Sequence, residues 1–193
     1  MQVSSYAPMI ESLVGGADRG ALVRKAALVL AGSALLALSA KVQVPFYPVP
    51  MTMQTLVVLV IGATFGLRLG LATIGLYLIE GLAGLPVFAS GAGLAYMMGP
   101  TGGYLAGFAV AVALMGLGAE RGFDRTPGRA FALMALGHIV ILALGWAWLS
   151  TLIGPQKALA AGVLPFISAT VFKTVLAAGL SVAMWKLVAR LRG

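Results

Sequence analysis

The chain has 193 residues, is 61% hydrophobic and only 9% charged, and carries a formal net charge of +8 with no cysteine. A soluble domain carries about 25% charged residues, so this composition cannot build a water-facing surface. The lack of cysteine excludes disulfides and thiolate metal sites. Apolar residues run continuously instead of alternating, which predicts an all-α integral membrane protein, one domain over 1–193, and not a β-barrel.

Six transmembrane helices are expected, at about 22–40, 49–67, 69–85, 102–119, 130–153 and 164–187, each near the ~17–25 residues that a membrane helix needs. The first has a long polar lead and ends in Ser-Ala-Lys, unlike a cleaved signal peptide. It carries Ala27, Ala31 and Ala34 in one stripe at i, i+4, i+7. Between the first two spans lies "VQVPFYPVPMTMQT", residues 42–55, with three prolines, two glutamines and two aromatics. Only Arg68 separates the second span from the third. The third holds Glu80, the one acid inside a span, and leads into "GLPVFASGAGLAYMMGPTGG", residues 84–103. Gly103 and Gly107 at the head of the fourth span predict close helix contact. The fifth contains His138, the only histidine, read as hydrogen-bonded within the bundle; Trp146, Trp148 and Trp185 are read as interfacial anchors.

Basic residues set the expected orientation. With both termini in the cytoplasm, Arg19, Arg24, Lys25, Arg68, Arg121, Arg125, Arg129, Lys186, Arg190 and Arg192 fall inside, against Lys41 and Lys157 outside. This use of the positive charge removes the need for nucleic-acid binding. The two outer segments, 42–55 and 84–103, are apolar and rich in Gly and Pro. Non-helical backbone of that kind must fold back onto the bundle, as a re-entrant plug or as a lid over a small-molecule pocket. In the second case Phe46, Tyr47, Met51, Phe88, Tyr96 and Met97 supply an apolar lining, with Tyr104 nearby, and Gln43, Gln54 and Ser90 supply hydrogen bonds.

Lys173 lies some nine residues into the sixth span, about 14 Å from its outer end. It can snorkel outward, pair with Glu80, or wait for an anionic ligand group beside the Thr170 hydroxyl one turn earlier. No P-loop, H-E-x-x-H or second histidine is present, so no catalytic residue, metal site or cofactor is expected. An acid–base pair for a membrane enzyme acting on lipid-linked substrates has only Glu80 with His138 to draw on. A solitary secondary carrier is the other alternative.

"VQVPFYPVPMTMQTLVVLVIGA", "GLPVFASGAG", "GPTGGYLAGF" and the spaced "LPFI…K" occur in order along nearly the whole chain. Together they resemble the BioY family, the biotin-specific S components of energy-coupling-factor (ECF) transporters. The resemblance implies biotin capture at the outer face of a bacterial inner (cell) membrane. It also implies partners: a transmembrane coupling (T) protein, which the Ala27, Ala31, Ala34 stripe would contact, and cytoplasmic ABC-type ATPases that consume the ATP. One departure stands out. Where related sequences read P-F-x-P-G-D-x-x-K, Pro165, Phe166 and Lys173 match, but Ser168, Ala169 and Thr170 replace Pro-Gly-Asp. Glu80 is the expected substitute acid by location.

Overall fold

The computed structural model describes residues 7–10 and 19–192, with side chains to residue 190; the remainder of the expected 1–193 domain, and the Arg192 side chain, lie outside the described residues. Helix α1 covers Arg19–Lys41, and a short antiparallel ribbon pairs β1 (Gln43–Val44) with β2 (Met51–Thr52). Then follow α2 (Gln54–Leu82), α3 (Gly93–Met97), α4 (Gly102–Ala119), α5 (Pro127–Ile153), α6 (Pro155–Gly162), a 3₁₀ turn (Leu164–Phe166) and α7 (Ile167–Arg192).

The run labelled α2 is a hairpin of two helical limbs. Gly66 breaks it with φ 75° and ψ −175°, a backbone conformation that a side chain resists. A Cβ on Gly70 would stand 3.6 Å from the Gly62 Cα, and Gln54 Nε2 lies 2.6 Å from the Tyr77 hydroxyl. In a straight helix those pairs would be roughly 12 Å and 35 Å apart. Where two spans are expected at 49–67 and 69–85, the structure has antiparallel helical limbs at 54–65 and 67–82. Among the described residues, four helical runs besides the hairpin are long and apolar enough to cross a membrane.

The fourth expected span coincides with α4, α1 and α5 extend their expectations by a few residues, and α7 runs past its expected end. The second does not start at 49. Pro48 and Pro50 cannot donate to a helix, residues 49–53 stay non-helical around β2, and the limb begins only at Gln54, whose N–H meets the Thr52 hydroxyl at 3.3 Å. The sixth starts three residues late for a similar reason, since Pro165 sits in the 3₁₀ turn. Helix α6 occupies the segment between the fifth and sixth expected spans.

Close approach holds the centre together. A Cβ on Gly62 would meet the Met115 side chain at 2.7 Å, and one on Gly107 would meet the Ile141 Cα at 3.0 Å. Helix α4 thus packs against the hairpin on one side and α5 on the other, as Gly103 and Gly107 predict. Leu59, Tyr77, Val112, Met115, Met134 and Ile141 are buried in that seam. Helix α1 contacts the hairpin through Gly32 and Thr73, and its opposite face, including Ala27, Ala31 and Ala34, is exposed. The chain order puts Lys41, Lys157 and the 42–53 and 84–101 segments at one end of the bundle, the loop end. Arg68, Arg121, Arg125 and Arg129 lie at the other, the basic end.

Candidate functional site

A cavity opens toward the loop end between the hairpin, α4, α5 and α7. Its apolar wall comes from Phe88, Tyr96, Tyr104, Phe108, Ile141 and Phe166, and its polar groups are Thr52, Gln54, Thr55, Thr101, His138, Thr170 and Lys173. The enclosed space is about 50 Å³, room for a few waters.

The aromatic wall is a connected stack. Phe88 meets Tyr77 edge-on at 5.5 Å and 78°, and stacks on Tyr96 at 5.1 Å and 17°. The Phe88 ring fits because residue 81 is glycine; a Cβ there would fall 2.0 Å from the ring. Tyr104 lies over Gly145 for the same reason, with its hydroxyl donating to the Gly162 carbonyl at 2.6 Å. That bond joins α4 to α6.

Two hydrogen bonds fasten one loop to the other. Lys41 Nζ donates to the Phe88 carbonyl at 2.6 Å, and Gln43 Nε2 to the Ala89 carbonyl at 3.3 Å. Behind them Gln54 donates to Tyr77, which donates to the Val87 carbonyl at 3.1 Å. The loop carrying Phe88 is thereby held from both faces.

Lys173 is 5% exposed. Its ammonium donates to the Thr52 carbonyl at 2.7 Å and to Thr55 Oγ1 at 3.3 Å. Both partners are neutral, and an ammonium has three N–H groups. One donor and a full charge are left to the cavity.

The expected site residues separate into two groups. Lys173, Thr170, Gln54, Phe88, Tyr96 and Tyr104 line the cavity together. Gln43 ties the loops from outside it, Phe46 packs on Phe166 at 6.2 Å, and Tyr47 is 94% exposed. Ser90 is exposed and contributes nothing to the lining. Glu80 faces α1, where its carboxylate accepts from the Ser33 hydroxyl, so it neither pairs with Lys173 nor approaches His138. Glu80 lies one turn beyond Tyr77 on the same limb, yet its carboxylate is turned to α1 and it is absent from the cavity lining. Trp148 and Trp185 are more than anchors, donating respectively to the Gly99 carbonyl at 2.9 Å and to the Asp124 carboxylate.

Sequence reasoning missed Thr55, Phe108, Phe166 and His138 as cavity residues. For His138 a signal existed: it shares a helical face with Ile141 and Leu142, which also line the cavity.

Residues 9–190 match the BioY family. A probable biotin transporter BioY from Pyrococcus horikoshii is 38% identical over 155 residues, covering 80% of this chain and 91% of that protein. The biotin transporter BioY of Thermotoga maritima is 35% identical over 157 residues, covering 80% and 92%. Among solved structures, the S-component for biotin from an ECF-type ABC transporter superposes with a TM-score of 0.77 over 89% of this chain and 95% of that one. At 24% identity that likeness bears on the fold. The relatives are named as transporters, and the apolar helices make this chain a multi-pass membrane protein.

Proposed function

The chain belongs to the BioY family, and from that premise we propose that it is the biotin-capturing S component of an ECF-type vitamin transporter. The observation that carries the reading is Lys173, a buried ammonium with neutral partners beside an aromatic wall. Such a cation suits a carboxylate, and the wall suits an apolar chain and ring. Thr170 offers a hydroxyl on the same side.

Biotin is several times larger than the enclosed space, so binding would part the 42–53 and 84–101 segments, which act as lids tied by Lys41 and Gln43. Both termini would lie in the cytoplasm of a bacterial cell whose inner membrane holds the protein, with the lids outside. The exposed stripe of Ala27, Ala31 and Ala34 on α1 would pack against a transmembrane coupling protein, and ABC-type ATPases bound to that protein would supply the energy. Turnover of ATP would reorient the chain and release biotin inward.

Titrating the purified protein with biotin, riboflavin and thiamine tests the ligand. Stoichiometric binding of biotin alone is expected; equal binding of all three, or of none, refutes it. Cysteines at Lys157 and Arg129 test orientation, since only the first should react with an impermeant reagent outside intact cells. Ala27→Leu with Ala31→Leu should impair assembly with the coupling protein and spare biotin binding. Equal loss of both would show that these positions pack the bundle itself.

A further inference from the structure

His138 is 2% exposed and forms part of the cavity wall. Its two ring nitrogens stand in different situations. Nδ1 lies 2.9 Å from Thr174 Oγ1, and that hydroxyl donates to the Thr170 carbonyl at 2.8 Å. A hydroxyl has one proton. Once it is given to Thr170, Thr174 can only accept from the imidazole, so Nδ1 carries the ring proton of the neutral side chain. Nε2 is left as a bare acceptor. It is buried and has no hydrogen-bond partner among the described residues, whereas buried polar groups in folded proteins are nearly always paired.

Among the described residues neither Gln54, whose amide bonds Tyr77, nor Lys173, which bonds Thr52 and Thr55, makes a hydrogen bond to Nε2. What Nε2 lacks is a donor arriving from the cavity. We infer that His138 Nε2 is a ligand-binding acceptor that takes a hydrogen bond from an N–H of a neutral cyclic urea.

This inference rests on the reading of the cavity as a biotin site. Of the groups in biotin, only the two ureido nitrogens carry N–H at neutral pH; the carboxylate and the thioether can only accept. His138 would therefore fix the bicyclic head while Lys173 takes the carboxylate. Thr174 acts as a positioning residue, because its donation to Thr170 selects the tautomer.

The chain's single histidine makes the test direct. In protein labelled with ¹⁵N-histidine, Nδ1 should resonate as a protonated nitrogen and Nε2 as an unprotonated one. Saturation with biotin should shift the Nε2 resonance as it becomes hydrogen-bonded. Biotin methylated on both ureido nitrogens should leave it in place. His138→Asn retains an N–H for Thr174 but removes the cavity acceptor, and should weaken biotin binding ~10- to 100-fold. His138→Gln sets an amide oxygen near the Nε2 position and should recover most of that loss. The methylated analogue should bind wild type weakly and lose little more on His138→Asn. A static Nε2 resonance in protein saturated with biotin, or wild-type affinity in His138→Asn, overturns this assignment alone. Failure of wild type to bind biotin overturns the reading of the site as well. If His138→Asn does not fold, the wild-type spectra decide the matter.

Discussion

The two ends of the bundle each bury an ionisable side chain and treat it differently. At the loop end Lys173 meets two neutral oxygens and an open cavity. At the basic end Asp124 is fully buried, its carboxylate accepts from Trp185 Nε1, and Arg125 lies over that indole at 4.1 Å. Ser181 donates to the Asp124 carbonyl at 3.3 Å, Arg125 reaches the Ala7 carbonyl at 3.4 Å, and Glu120 accepts from the Leu67 N–H at 3.3 Å. One end spends its buried group on closing the structure, tying the 120–126 turn to α7. The other leaves its charge to be answered by something that enters. Burial alone does not separate a structural group from a binding one; what lies next to the unused donor does.

The sharpest way to break this contrast is Lys173→Ala. Truncating a desolvated cation that holds a ligand charge costs ~2–5 kcal/mol, so biotin affinity should fall roughly 30-fold to several thousandfold. Biotin amide should bind wild type poorly and lose little further on the substitution. Equal losses for acid and amide would mean that Lys173 does not hold the carboxylate.

Trp185→Phe probes the opposite end. It deprives the buried Asp124 of its donor, which should cost about 1–3 kcal/mol of stability, read as a lower unfolding temperature in detergent, with biotin affinity unchanged. A matching loss of affinity would erase the distinction between the ends. The pH dependence sharpens it. Burial pushes the Asp124 carboxyl above its ordinary range, against the Trp185 hydrogen bond and the Arg125 charge. With the folded pKa above the unfolded one, the fold favours the protonated acid. That contribution is complete below the unfolded value near 4 and drains away as pH rises through the folded value. Wild type should lose stability relative to Asp124→Asn over that rise; a constant gap would contradict it.

The smallest effect belongs to the ties between the loops. Lys41→Met removes one hydrogen bond, about 1 kcal/mol, and should speed biotin release roughly fivefold without touching the cavity. Unchanged release would mean that the tie does not restrain the loops.

Much of this architecture was legible in the sequence. Span lengths separated the two limbs of α2, with the break expected at Arg68 and found two residues earlier at Gly66, and the glycines of α4 announced its close contacts. Prolines marked 42–55 as exceptional, although not as a ribbon that delays the helix to Gln54. The site was less legible because helix faces could not be assigned. In a chain this apolar every face resembles a core, so Glu80 looked like a pocket residue while it bonds Ser33 on α1. His138 looked merely structural for the same reason. Nothing local in "GHIVILALG" tells that one imidazole nitrogen would be satisfied by a threonine 36 positions away.

The reversal at Gly66 also bears on how the chain enters a bilayer. Limb 54–65 is roughly 18 Å long, well short of the ~30 Å hydrocarbon core, and its leading residues 49–53 carry backbone groups that lipid cannot satisfy. Such a segment is a poor candidate to partition into lipid by itself. Its sister limb follows within a single residue, so the two would leave the insertion machinery together as one wedge, their glycine faces already matched. Placing a bulky residue at Gly66, where the Pro8 ring stands 2.4 Å from a built Cβ, should then be felt during biogenesis, as degraded protein instead of inserted but inactive protein.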